Sequence, residues 1–349
     1  MAELPEIKTT SAIQLLWQLS LGAAANTALS PVIVAGNVYA AAGDGTVVKV
    51  DLNAGKPLWR VNIGTTLSGG VGSDGSVVAT GSSEGEVVAL ESGNGAIRWR
   101  ARLSSEILSA PVVTGDLVLI RSADSRVFAL DVRDGRRRWV YQRSAASLSI
   151  RSPAGLVVEQ GNAYGGFSGG KLVAIALSNG GVRWESTVAL PRGTNELDRV
   201  TDVVGLPWVS QREICAVAFQ GRIACFDIGN GNSLWGREMS SVSGVGGDSA
   251  HIYVSDDTGA VHALARSSGT SVWKQDRLFR RSLTLPLPMG RQIVVGDIQG
   301  YIHLLARDSG AFEGRIATDG SSLSPPIATA GGNFLIQTRN GNLFAFAIQ

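Results

Sequence analysis

A fifteen-residue phrase, written again and again, constrains this chain more than any other feature. Gly45–Trp59 reads GTVVKVDLNAGKPLW, Gly85–Trp99 reads GEVVALESGNGAIRW and Ser125–Trp139 reads SRVFALDVRDGRRRW. The phrase returns at Gly170–Trp184, Gly221–Trp235 and Gly259–Trp273. It loses its tryptophan at Gly300–Gly314 and stops at the chain end in Gly341–Gln349, which makes eight copies. A fixed period of this kind has to be read before local propensities, because it sets the architecture.

Each copy has a physical meaning. Val47 and Lys49 alternate with Val48 and Val50 at the two-residue period of a strand. Asn53-Ala54-Gly55 is turn chemistry, with a glycine free to take positive φ, and a second short strand ends on Trp59. Upstream lies another hairpin: Pro31–Ala35, a turn at Gly36-Asn37, then Val38–Ala42 and a two-residue turn at Asp44-Gly45. Each unit is therefore four antiparallel strands in meander order, and units of this length describe propeller blades. Trp17 stands before the first copy and the eighth copy lacks its outer strand. Ile13–Ser20 is therefore expected to supply the outermost strand of the last blade and leave no open edge. The fold class read from the repeats is all-β, an eight-bladed β-propeller over residues 13–349, with residues 1–12 as a polar lead-in.

Composition agrees: glycine makes up 44 of 349 residues, and the repeats run through without a linker, so one domain is the reading. A formal net charge of +2 gives no general attraction to nucleic acid or anionic lipid. The first residues hold no apolar signal-peptide core. Two cysteines, Cys215 and Cys225, lie in EICAVAFQGRIACFD. A two-residue turn at Gln220-Gly221 would put them on opposite sheet faces, so packed, reduced thiols are expected; one bulged residue would reverse that. His262 and His303 share the repeat position of Val48 and read as sheet-face residues, and His251 as a strand-entry residue. Neither a catalytic triad, a metal-binding HExxH nor a phosphate loop is present, and no cofactor or metal site is expected. Arg133, Arg136, Arg137 and Arg138 read as a solvated basic turn. Arg277, Arg280 and Arg281, set around Leu278 and Phe279, could instead line the ring mouth or a partner surface.

The period breaks most between Trp184 and Trp235, and the excess lies near Pro191–Gly205, PRGTNELDRVTDVVG. Insertions in repeat proteins map to loops on one face, often the binding face. Leu197 and Val200 mixed with Asp198, Arg199 and Asp202 suit an interface anchor. Equally, Asp198 and Asp202 could only hold the loop through Asx turns and an internal pair with Arg199. Both readings stand on the sequence.

The tandem repeats resemble those of pyrroloquinoline-quinone-type propellers. With NELDRVTDV at Asn195–Val203, the chain resembles the BamB lipoprotein family of the bacterial outer-membrane β-barrel assembly machinery over residues 13–349. The resemblance implies a non-enzymatic scaffold on the periplasmic face of the outer membrane, tethered by a lipidated N-terminal cysteine that this sequence does not carry. It implies binding to the POTRA domains of BamA, and a question of contact with nascent outer-membrane proteins. Carried over onto this chain, the contact loop is Leu197, Asp198, Arg199, Val200 and Asp202, extended to Asp256 and Asp257 in VSDDTG. DVVGLPW at Asp202–Trp208 departs from the family, which continues with an acidic residue and threonines. The alternative on the same fold is a quinoprotein dehydrogenase. Those enzymes resemble these repeats but use a vicinal cysteine pair, a carboxylate base, a quinone and calcium, whereas the cysteines here are ten residues apart.

Overall fold

The computed structural model describes residues 1–23, 25–26, 29–144, 148–329 and 331–349. Its strands assemble into eight four-stranded antiparallel sheets, so the fold class is the eight-bladed β-propeller that the repeats predict. Blade 1 is Val32–Val34, Asn37–Ala41, Thr46–Asp51 and Pro57–Asn62, paired in that order. Blades 2 to 7 follow over residues 67–102, 112–142, 156–187, 208–238, 246–275 and 287–317. Blade 8 takes three strands from 327–348 and its outermost from Ile13–Ser20, as the stranded Trp17 required. The chain forms two compact units, one holding blades 8, 1, 2 and 3, the other holding residues 1–13 and blades 4 to 7.

Within each unit the same contact joins one blade to the next. The Trp17 indole N–H donates to Leu52 O, Trp59 to Ser92 O and Trp99 to Val132 O, at 2.9–3.0 Å. In the other unit Trp184 donates to Ile228 O, Trp235 to Arg266 O and Trp273 to Arg307 O, at 2.7–2.9 Å. Each accepting carbonyl precedes by three residues a positive-φ glycine whose backbone lies on that indole: Gly55, Gly95, Gly135, Gly231, Gly269 and Gly310. The acidic residue of the phrase closes the same turn, Asp51 Oδ1 accepting from Asn53 and Ala54 N–H at 3.0 and 2.7 Å. Apolar clusters fill the space between successive blades, as with Val87, Ala89 and Trp99 of blade 2 against Ile120, Phe128 and Leu130 of blade 3.

One expectation fails. Cys215 and Cys225 form a disulfide with Cα atoms 4.0 Å apart. Ala218 N–H donates to Arg222 O, so the turn spans three residues, Phe219-Gln220-Gly221, and the register sets Cys215 directly opposite Cys225. The turn after Ala42 is of the same kind, Ala42 N–H bonding Thr46 O across Gly43-Asp44-Gly45 rather than across two residues. Counting Asp-Gly and Gln-Gly as two-residue turns shifted the register by one, which moves every side chain to the other face.

Two measurements follow from this packing. Gly135→Ala would place a Cβ at positive φ and 2.6 Å from the Trp99 ring, and should cost about 2–4 kcal/mol in chemical denaturation. Replacing both Cys215 and Cys225 by alanine should lower stability by roughly 1–3 kcal/mol, read as a lower denaturation midpoint that reductant no longer shifts.

Candidate partner-binding site

Thr187 ends the outer strand of blade 4, and the chain then leaves that sheet and begins blade 5 at Trp208. Residues 191–199 are all exposed, Leu197 by 71%. A loop with so little burial would normally be loose, yet this one is tied from several sides. Asn195 Oδ1 accepts from Asp198 N–H at 2.8 Å and Val200 N–H bonds Leu197 O at 3.2 Å, closing a turn over 196–199. Arg199 Nε donates to Gly193 O at 3.2 Å. Gly193, at φ 135°, leaves no room for a Cβ against that of Asp198. From the neighbouring blade the Gln220 amide turns its nitrogen to the loop, 3.2, 3.1 and 2.9 Å from Leu197 O, Asp198 O and Val200 O, so that its two N–H groups are shared among three carbonyls.

The root of the loop is buried, and this corrects one of the candidate contacts. Asp202 is 2% exposed. Its carboxylate accepts from Ile150 N–H at 2.7 Å and Gly169 N–H at 3.3 Å, and its carbonyl takes Phe219 N–H at 2.9 Å. Asp202 therefore holds the loop in place instead of meeting a partner. Asp198 and Arg199, by contrast, point outward and form no ion pair with one another among the described residues, so the internal pair weighed from the sequence is not made. Val200 is half-buried behind Leu197.

Asp256 is also occupied from within. Its carboxylate accepts from Ala260 N–H and Thr258 N–H at 2.8 and 3.0 Å, and meets His262 Nε2 at 2.8 Å. Burial pushes its pKa upward, but these bonds, with His262 foremost, hold it down to about 2. Asp257 beside it is exposed and free to face a partner. The fold brings Asp257 to the same side through Ser240, which accepts Gln220 N–H at its hydroxyl (2.8 Å) and Asp257 N–H at its carbonyl (3.0 Å). Gln220 and Ser240 were missed in the sequence, where Gln220 reads only as the polar residue before a turn glycine. A cavity of about 280 Å³ adjoins the loop, lined by Leu190, Arg192, Gln220, Arg222 and Glu238 among others, with Leu190 64% exposed.

The basic stretch at 277–281 divides. Arg280 stacks over the half-exposed Phe279 ring at 5.1 Å, but Arg281 is 2% exposed and paired with Asp297 at 2.9 Å, so it lines no partner surface. The site therefore presents exposed aliphatic side chains, a forked cationic donor and exposed carboxylates on a pinned backbone. That combination suits a protein surface.

A sequence family described as outer membrane protein assembly factor BamB matches residues 43–275. A protein of that name from Bordetella pertussis is 40% identical over 98% of this chain and 89% of its own length. Another from Pseudomonas aeruginosa is 43% identical over all of this chain and 92% of its own. The chain belongs to the BamB family. The crystal structure of BamB from Moraxella catarrhalis superposes with a TM-score of 0.88 at 26% identity, over 96% of this chain and all of that one. A europium-containing methanol dehydrogenase superposes at 0.79 with 13% identity over 96% of this chain and 93% of its own, a likeness that shows the fold alone.

The two aspartates of the loop separate cleanly by experiment. Asp202→Ala removes a buried carboxylate and leaves the part-buried N–H groups of Ile150 and Gly169 without that acceptor, and should cost about 1–3 kcal/mol. Asp198→Ala should stay within about 0.5 kcal/mol, both read by urea denaturation of the purified chain.

Proposed function

We propose that this chain is a non-enzymatic scaffold subunit for outer-membrane protein assembly. On this reading it binds periplasmic POTRA domains of BamA through Leu197, Asp198, Arg199 and the neighbouring Asp257. The observation that carries it is the pairing of BamB family membership over nearly the whole chain with a loop exposed over residues 191–199 and tied by Gln220, Asn195 and Asp202. Ordering costs are met before the partner arrives, so contacts made by Leu197 and Arg199 are not offset by loop freezing. Arg199 spends one N–H on Gly193 O and keeps the rest of its fork for a carboxylate or carbonyl of the partner. Leu190, which lines the cavity, and the exposed Leu197 supply desolvated area.

A location on the periplasmic face of the outer membrane, with a lipid anchor ahead of residue 1 in the full-length protein, fits the same reading. The Cys215–Cys225 disulfide supports it, because such bonds persist in oxidising compartments.

Calorimetry with purified POTRA domains of BamA from the same source tests the proposal. The parent should bind, and Arg199→Ala, checked for folding by circular dichroism, should weaken binding by about 2–4 kcal/mol if it is an anchor. Asp256→Asn should change binding far less than Asp257→Asn, since Asp256 is engaged internally. A parent that binds no POTRA domain would remove the proposed partner, and an Arg199→Ala variant that binds as the parent does would move the interface elsewhere.

A further inference from the structure

Blade 7 and the first residues of the chain carry a buried charged cluster that the scaffold role does not use. His303 is fully buried and Asp297 and Arg281 are 1% and 2% exposed. Arg281 Nε donates to Asp297 Oδ2 at 2.9 Å, and both of its terminal nitrogens reach Gln299 Oε1 at 3.0 and 2.7 Å. The same Asp297 oxygen lies 3.0 Å from His303 Nε2, while Arg315 Nε donates to His303 Nδ1 at 3.3 Å. A guanidinium can only donate, so Nδ1 must be the acceptor and the imidazole is neutral with its proton on Nε2. Two arginines then face one aspartate, and the surplus positive charge points at the chain's own beginning. Arg315 Nη2 donates to Pro5 O at 2.9 Å and Arg281 Nη1 to Ala2 O at 3.4 Å.

The lead-in is thus docked along blade 7. Ala2 N–H bonds Phe279 O, and Thr10 and Ser11 N–H both bond Glu313 O, at 2.8–3.1 Å. Ser11 O lies where a Cβ on Gly314 would sit, Gly314 being the position at which this blade's phrase lacks its tryptophan. The backbone on either side of Arg281 is unusual: Arg280 and Ser282, neither of them glycine, hold φ of 57° and 48°. Such conformations persist only where surroundings enforce them, and here they turn Arg281 inward beneath the lead-in.

We infer that residues 1–5 form a latch on blade 7, seated on Arg281 and Arg315 and held shut by neutral His303, and that protonating His303 lifts it. A proton on Nδ1 would face the Arg315 Nε–H, donor against donor. Arg315 would have to swing away, and Pro5 O would lose its donor. The groups that face His303 are Asp297 on the turn before its strand, Arg281 beyond Asp297, and Arg315 on the outer strand. The Tyr301 and Phe312 rings lie 6.4 and 6.1 Å from the imidazole. Arg277 stands over Phe312 at 5.7 Å, and Glu313 is the carboxylate further along the lead-in, bonded to Ser11 Oγ.

Burial, and then the charges of Arg315 and Arg281, hold the docked His303 below its ordinary 6.5 despite the Asp297 bond. With the latch lifted, Arg315 is free to leave and water enters, so the pKa returns towards that ordinary value. Protons therefore bind the lifted form more tightly, and the docked fraction is full above about pH 6.5 and falls as pH drops below it.

Blade 6 supplies an internal control. Asp256 and His262 repeat the Asp297–His303 pairing six residues apart, but no arginine donates to His262 Nδ1 among the described residues. A nitroxide on Glu6→Cys reports the latch in the full chain, because the two native cysteines are tied in a disulfide. The mobile fraction of the spin-label spectrum should rise at least about threefold between about pH 7.5 and pH 5 while the near-ultraviolet dichroism of the tryptophans holds. The rise should vanish in His303→Gln and persist in His262→Gln. Arg315→Met should leave the label mobile at neutral pH with little further change in acid. A parent label that does not respond to pH, or a response that survives His303→Gln, overturns the inference and in the second case points to Glu313. Should His303→Gln not fold, Arg315→Met decides, and a label as immobile there as in the parent overturns it too.

Discussion

The contact on which the rest depends is an indole lying on a glycine. A blade is a small sheet that cannot bury both faces, so its stability comes from the next blade. Trp17, Trp59, Trp99, Trp184, Trp235 and Trp273 each lie on the turn glycine of the next blade and donate the indole N–H to a carbonyl of that turn. The contact is tight because the glycine has no side chain. It is directional because a buried indole N–H needs an acceptor. It also fixes the bend of the turn, since the glycine must hold positive φ where it meets the ring. Repeated from blade to blade within each unit, one interaction sets both spacing and orientation, and loops leave the sheets from a rigid base.

That rigidity is what gives the 191–205 excursion meaning. An exposed nine-residue run with a leucine at its tip would ordinarily pay an ordering penalty on binding. Here the penalty is met in the free protein. Gln220 holds three of the loop's carbonyls, and Asp202 roots it in blade 4. Ser240 ties the Gln220 turn to the one that carries Asp257. A comparable anchoring operates at blade 7, where Ser11 of the lead-in packs against Gly314, and Ala2 and Pro5 carbonyls accept from Arg281 and Arg315.

The candidate site was partly legible before any coordinates. The loop announced itself as the largest break in an otherwise regular period, and Leu197, Asp198 and Arg199 were singled out because a break in a repeat has no packing reason; the structure leaves all three exposed. Asp202 and Asp256 were misjudged for one reason: an aspartate that caps a buried turn and an aspartate that meets a partner look alike in sequence. Burial and hydrogen-bond partners separate them: Asp202 is claimed by Ile150 and Gly169, far away in the chain, and Asp256 by Thr258, Ala260 and His262 in its own hairpin. Arg281 illustrates the converse, a basic residue in a basic run that the fold turns inward to meet Asp297.

The eightfold repeat, the four-strand meander and the completion of the last blade by Ile13–Ser20 were determined by sequence alone, since period, turn glycines and an unpaired Trp17 allow few other arrangements. Register was not. Whether a turn holds two residues or three decides which face a side chain takes, and only the assembled blade chose three, joining Cys215 to Cys225. The tertiary structure likewise decided which charges are spent inside. Long-range pairing selects among chemically identical side chains, and nothing local to Asp202 or Arg281 distinguishes them from exposed ones.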